Sequence, residues 1–323
     1  MLGGLLALLA AAGFAFETAS ARRGVVSATV VQALAITVPV GIPIFLFVVW
    51  ITGSLGAFED FPVKAILLLA AAGVLHFVWG RYCNYRSNKA IGSNLAGPMQ
   101  QFNLLVALVL AVLLLGEALT PLRILGIALV ILGPALAYER ASKRQEQPPE
   151  AFRPRYAEGY TFALLSSAGY GVSPILVRMA LEDRGVAFSL AGGLVSYVAA
   201  TAVFVLVLCL PGQLRHVLAV NRSSARWFFV SGIVVCLSQM LRYMALALAP
   251  VSVVTPIQRL SIVFRLYFAK VLNPQHEVFS SRVFLATAIA LAGALALTLS
   301  VEMVQSILPL PEGMVRLLNW RWP

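Results

Sequence analysis

Residues 103–136 read "NLLVALVLAVLLLGEALTPLRILGIALVILGPAL". Two apolar runs are parted only by the Gly-Glu-Ala-Leu-Thr-Pro segment at 116–121. Followed out to their natural breakers, the runs give spans at 92–115 and 121–138, each near the length of about 20 residues that crosses a bilayer as a helix. The short connection makes the pair a membrane hairpin. The same pattern repeats along all 323 residues, with spans expected near 2–19, 26–51, 64–88, 92–115, 121–138, 158–180, 187–211, 226–249, 251–272 and 280–300. That is ten helices. The composition agrees: 60% of residues are hydrophobic and 11% charged, against about 25% charged in a soluble domain. A soluble fold of this size has too little interior to bury so many wholly apolar helices. The expected fold is an all-α integral membrane protein.

The formal net charge is +11, which raises the question of nucleic acid. No basic run is interleaved with aromatics and no nucleic-acid motif is present, so no nucleic-acid partner is expected. Basic loops are ordinary in membrane proteins, where Lys and Arg stay on the cytoplasmic side. Cys83, Cys209 and Cys236 lie in or beside apolar runs without metal or redox spacing and read as inert. The first run lacks a preceding basic segment and is followed by Arg22 and Arg23, so it reads as a first span rather than a cleaved signal. No HExxH, GxSxG or P-loop occurs, and no paired carboxylates sit in a span. The expectation is no enzymatic activity, no metal and no cofactor.

The halves resemble each other. "YRSNKAIGSNLAGPMQQ" (85–101) lines up with "YMALALAPVSVVTPIQR" (243–259), setting Tyr85 on Tyr243, Pro98 on Pro256 and Gln100 on Gln258. Further on, Glu117 falls on Glu277 and Gly133 on Gly293. Preserved order across five helices is the signature of a duplication. Five is odd, so a second copy enters the membrane upside down, and the halves are related by an axis in the membrane plane. The expected domains are a five-helix repeat at 1–138, a polar linker at 139–157, a second five-helix repeat at 158–300 and an interfacial tail at 301–323.

The segment 103–136, with Pro98 before it and with Gly116-Glu117, Gly126 and Gly133 in place, resembles the end of a repeat from the drug/metabolite transporter superfamily, in its EamA-like branch. The second half carries Pro256, Glu277 and Gly293 but lacks the Gly before Glu. The resemblance implies a ten-helix transporter with a central cavity lined by helices three and four of each half. It implies no particular substrate.

Allotting the 24 Lys and Arg to loops leaves a remainder. The loops after odd-numbered helices hold 14 and the even loops with the tail hold six, so Arg81, Arg242, Arg259 and Arg265 fall within spans. A mid-membrane arginine costs about 3 kcal/mol even on the lenient insertion scale. Arg81 and Arg265 could snorkel. Arg242 and Arg259 lie about 10–12 Å below one surface, at 1.5 Å per residue, with Gln258 and Tyr243 beside them. Glu17 is the only carboxylate well inside a span. The first half supplies Arg81, Asn84, Tyr85, Gln100, Gln101 and Asn103, which inversion brings toward the same midplane. His76 and Gln239 lie on helices three and eight near the same region; His76 reads as a proton relay or as a hydrogen-bonded packing residue. Glu117 and Glu277 read as helix N-terminal residues that favour the positive dipole end. Pro39, Pro43, Pro98, Pro174 and Pro256 read as kinks.

The candidate substrate-binding set is therefore Arg242, Arg259, Gln258, Tyr243, Gln239, Arg265, Arg81, Tyr85, Gln100, Gln101 and His76. The function expected is secondary transport of a small organic anion by alternating access. The alternatives are a flippase for an anionic lipid or lipid-linked phosphate, and a non-transporting membrane scaffold. Partners would be a small-molecule or lipid substrate and membrane lipids, with a homodimer left open, in a bacterial cytoplasmic membrane. The 14-to-six bias puts the linker in the cytoplasm and both termini outside, whereas the family resemblance puts the termini inside.

Overall fold

The structure, a computed structural model, describes residues 2–115, 119–138, 152–181, 185–249 and 251–299, with isolated positions at 311, 313 and 320. Glu117, the linker residues 139–151 and most of the tail lie outside the described residues.

The first half consists of α1 (Leu2–Val25), α2 (Val30–Thr37), α3 (Gly41–Ile51), α4 (Val63–Gly73), α5 (Arg81–Ile91), α6 (Ser93–Gln100), α7 (Phe102–Leu115) and α8 (Pro121–Tyr138). The second consists of α9 (Tyr156–Leu181), α10 (Val186–Leu208), α11 (Gln213–Leu218), α12 (Arg222–Leu248), α13 (Val251–Arg259), α14 (Ser261–Leu272) and α15 (Ser281–Thr298). Among the described residues, seven helical segments are long and apolar enough to cross a membrane: Leu2–Val25, Val30–Ile51, Val63–Ile91, Tyr156–Leu181, Val186–Leu208, Arg222–Arg242 and Ser281–Thr298. Pro121–Leu136 is a shorter apolar helix. The protein is an all-α integral membrane protein. Its outer surface carries large apolar side chains such as Phe47, Trp50, Leu67, Leu113 and Leu206, whereas Glu17, Arg81, Asn84, Asn88 and Gln100 are buried. That inversion of the soluble pattern suits a lipid solvent.

The segments expected as spans at 92–115 and 251–272 are each interrupted. The first breaks at Gln101, between α6 and α7, and the second at Leu260, between α13 and α14. Pro98 lies inside α6 and Pro256 inside α13. A proline removes one backbone donor and crowds the preceding turn, and the helix gives way a few residues later. Pro39 lies in the gap between α2 and α3. There the Gly41 N–H turns to the Val38 carbonyl at 3.1 Å. The carbonyl of Thr37 accepts instead from Arg81 Nη1 at 3.0 Å. Pro174, also expected as a kink, sits in α9 without a break. Between α4 and α5 the chain winds as a π-helical stretch, Val74–Gly80, a form that clusters at functional sites.

Packing partners run across the two halves. Helix α1 lies along α12 and α14, while α9 lies along the Val74–Gly80 stretch, α5 and α7. Helix α10 lies along α4, and α12 along α2. Helix α8 lies along α15. This last contact rests on the glycines of the sequence pattern. A Cβ on Gly126 would come within 2.7 Å of Leu297 Cγ and 2.9 Å of the Gly293 carbonyl oxygen, and one on Gly293 within 2.7 Å of the Val130 nitrogen. Small residues at such crossings let two membrane helices approach closely.

Candidate functional site

A cavity of about 430 Å³ opens between α4, α9, α10 and α12. The exposed lining residues Arg178, near the end of α9, and Gly185 and Val186, where α10 starts, mark its mouth. Leu69, Val177, Phe45, Phe77 and Tyr197 form an apolar wall. The rings continue one another: Phe45 to Tyr197 is 5.1 Å between centroids, Tyr197 to Phe77 4.0 Å and stacked, and Phe77 to His76 4.9 Å. The polar end is built from His76, Ser173, Gln239 and Arg242. His76 Nδ1 lies 2.8 Å from Ser173 Oγ. Arg242 Nε is buried and makes no hydrogen bond.

Of the residues singled out in the sequence, His76, Gln239 and Arg242 share this cavity. Arg259 lies within Coulombic range of Arg242. Its Nε and the Gln258 Nε2 are both buried without a hydrogen-bond partner. The side chain of Tyr243 lies outside the described residues.

Arg81, Tyr85, Gln100 and Arg265 belong to a second group, centred on Glu17, and none of them lines the cavity. Glu17 Oε1 accepts from the Tyr85 hydroxyl at 2.9 Å and from Ser231 Oγ at 3.2 Å. Arg265 Nη1 donates to Gln100 Oε1 at 2.7 Å. Gln100 Nε2 donates in turn to Asn84 Oδ1, which also accepts from Asn88 Nδ2 at 3.0 Å. Asn84 Nδ2 reaches the Tyr170 hydroxyl at 3.4 Å. Arg81 and Arg265 are both within Coulombic range of Glu17. Gln101 is buried beside this group, its Oε1 without a hydrogen bond. The guanidinium of Arg81 also stands 5.0 Å over the Phe77 ring, which joins this group to the cavity wall.

The far end of α9 from the cavity mouth is shut. Arg22, expected in a loop after a span ending at residue 19, instead lies in the last turn of α1, which continues to Val25. Arg22 Nε is 3.6 Å from Glu277 Oε1, with 2% and 0% of the two side chains exposed. Arg22 Nη2 donates to the His276 carbonyl at 2.7 Å and Nη1 to the Lys89 carbonyl at 3.4 Å. Glu277 does serve a helix N-terminus, but that of α6 rather than of α15, which Ser280 caps. Its carboxylate accepts from the Ser93 N–H and hydroxyl, each at 2.8 Å, and from the Asn94 N–H at 3.0 Å. Burial pushes the Glu277 carboxyl above the usual range, against the pull of Arg22 and these N–H donors. The approach requires Gly92, whose φ of +82° is in the left-handed region and where a Cβ would lie 2.5 Å from Glu277 Oε2.

Residues 1–138, less than half of the chain, match the EamA-like transporter family. The match supports membrane transport as the general function, and the family is one of transporters rather than enzymes. Among the described residues no group of three or more His, Cys, Asp or Glu is placed to hold a metal ion. No curated protein matches the chain. One solved structure, described only as "Crystal structure of protein", aligns over 92% of this chain and 95% of its own at 17% identity, with a TM-score of 0.47.

The sequence pointed to the buried cations by their insertion cost. It missed Ser173 and Tyr197, since a serine and a tyrosine in an apolar run carry no such cost, and the Arg22–Glu277 pair, whose members are far apart in the chain.

Proposed function

We propose that this chain is a secondary transporter of a small organic anion, moving it by alternating access between two inverted five-helix repeats, 1–138 and 158–300, in a bacterial cytoplasmic membrane. The observation that carries the reading is the neighbouring pair of guanidiniums on Arg242 and Arg259, each with a buried Nε that makes no hydrogen bond. Such a pair is stabilised by an anion or by water in a pathway. The repeat reading is supported by reciprocal packing. Helix α1 against α12 and α14 has its counterpart in α9 against α5 and α7, and α10 against α4 in α12 against α2. The interruptions at Gln101 and Leu260 fall within one residue of each other in the aligned halves.

The test is a thermal-shift screen of purified protein against soluble organic anions and anionic lipids, followed by flux of any hit in proteoliposomes. Arg242→Ala and Arg259→Ala should each abolish binding and flux while keeping a monodisperse profile. Normal flux in either variant refutes the anion site. The flippase alternative draws on one observation, the largely apolar wall around the cavity, and is favoured if only lipids give a shift.

A further inference from the structure

The cavity constrains the ligand beyond its charge. We propose, on the basis of the anion-transport reading, that the substrate is an amphipathic anion without an ammonium group: one carboxylate or phosphate at the Arg242 end, an apolar body along the Phe45–Tyr197–Phe77 wall.

Three observations converge. The first is the division of the lining. Arg242 and Gln239 stand at the polar end, while Leu69, Val177 and the rings of Phe45, Tyr197 and Phe77 form a continuous apolar wall, with Arg178 at the mouth. A polar headgroup alone would leave that wall facing water, whereas an apolar body buries it and gains ring contacts. The second is the sign of the charge. Among the described lining residues Arg178 and Arg242 are present and no Asp or Glu is. The Glu17 carboxylate is outside the cavity and already accepts from Tyr85, Ser231 and Thr18. At the polar end an ammonium group would meet no carboxylate among the described lining residues and would lie near the Arg242 guanidinium, and a buried unpaired charge is strongly disfavoured. The third is the state of the neutral acceptors. Ser196 Oγ already donates to the Leu69 carbonyl at 2.8 Å, and Ser173 Oγ is engaged with His76. The lone pairs that such neutral hydroxyls keep carry no formal charge to offset the nearby Arg242 guanidinium for an ammonium group. The site therefore rejects a zwitterion by charge rather than by size, a repulsive element of the kind that sets specificity.

A matched set of probes isolates the ammonium group. Binding to the purified full-length protein in an uncharged detergent is measured by calorimetry for 3-phenylpropionate, phenylalanine and 2-phenylethylamine, with inorganic phosphate and lysophosphatidate alongside. The expected result is that 3-phenylpropionate binds, phenylalanine binds at least about tenfold more weakly, and 2-phenylethylamine does not bind. Lysophosphatidate binding in place of 3-phenylpropionate upholds the same chemistry with a lipid as its source. Arg242→Gln should remove binding of every anion. Val177→Trp, which fills the apolar slot, should weaken the amphipathic anion at least about tenfold and spare inorganic phosphate. Phenylalanine binding as tightly as 3-phenylpropionate, or an unaffected Val177→Trp, overturns the inference and leaves the anion site standing. No binding by any anion, free or lipid, removes both.

Discussion

Arg22 and Glu277 face each other with almost no exposed side-chain surface, and the fate of each depends on the other. Removing one partner of a buried pair leaves the other charge without compensation, at about 3–5 kcal/mol. Arg22→Leu should therefore lower the thermal midpoint in detergent sharply. The double variant Arg22→Leu/Glu277→Leu should recover part of the loss, because no charge then remains unpaired. Losses that simply add would show that the two side chains act independently. His276, next in the chain, gives a pH signature. Burial first, then Arg22 and Arg23, hold its imidazole below the ordinary value of 6.5. The unfolded chain binds the proton more readily, so stability should fall as pH drops below about 6.5. His276→Gln should flatten that acid limb in a thermal melt series, and an unchanged slope would remove His276 as its source. Neither role was legible in the sequence. Arg22 follows an apolar run, where a basic residue ordinarily meets solvent, and its pairing with Glu277 exists only once α1, α6 and the α14–α15 connection are assembled.

At the scale of elements, long apolar runs betray helices because lipid leaves the backbone no other partner. The expected spans at 26–51, 64–88, 158–180 and 187–211 accordingly sit close to helical segments of the structure. The interruptions were harder to read. Pro39, Pro98 and Pro256 lie in or a few residues before real breaks, yet Pro174 sits in an unbroken helix. A proline's cost depends on whether neighbours re-satisfy the freed carbonyls, which is a tertiary matter. The π-helical stretch at Val74–Gly80 carries no sequence mark at all. The glycines at 126 and 293 were legible as a pattern, and the α8–α15 contact supplies their physical reason. Gly293→Leu should push the two helices apart and cost about 1–3 kcal/mol, the usual range for overpacking. The measurement is the thermal midpoint with Gly293→Ala for comparison, and equal midpoints for wild type and Gly293→Leu would exclude a tight crossing there.

For the whole molecule, the cavity mouth and the Arg22–Glu277 closure lie at opposite ends of α9. The start of α9 is tied to the closed end through the Arg155 N–H bond to the Ala90 carbonyl and the Arg86–Glu158 pair. The bias of 14 basic residues to six predicts that this closed end is cytoplasmic and that the cavity faces out, whereas the family resemblance predicts the reverse. A cysteine at position 146 of a cysteine-free variant should then be shielded from an impermeant maleimide in intact cells, and one at position 318 should react. The reverse labelling would place both termini inside and turn the cavity toward the cytoplasm.

The uneven balance of Arg81, Arg242, Arg259 and Arg265 against Glu17, the one carboxylate deep in a span among the described residues, also bears on what the protein withholds from passage. A sodium or potassium ion entering from either side meets a standing positive potential, the kind of barrier by which arginines exclude cations from other pores. Each elementary charge leaking across 100 mV would dissipate about 2.3 kcal/mol of stored work. On the anion-transport reading proposed above, the same guanidiniums would double as insulation, leaving the ion gradients of the membrane intact during transport.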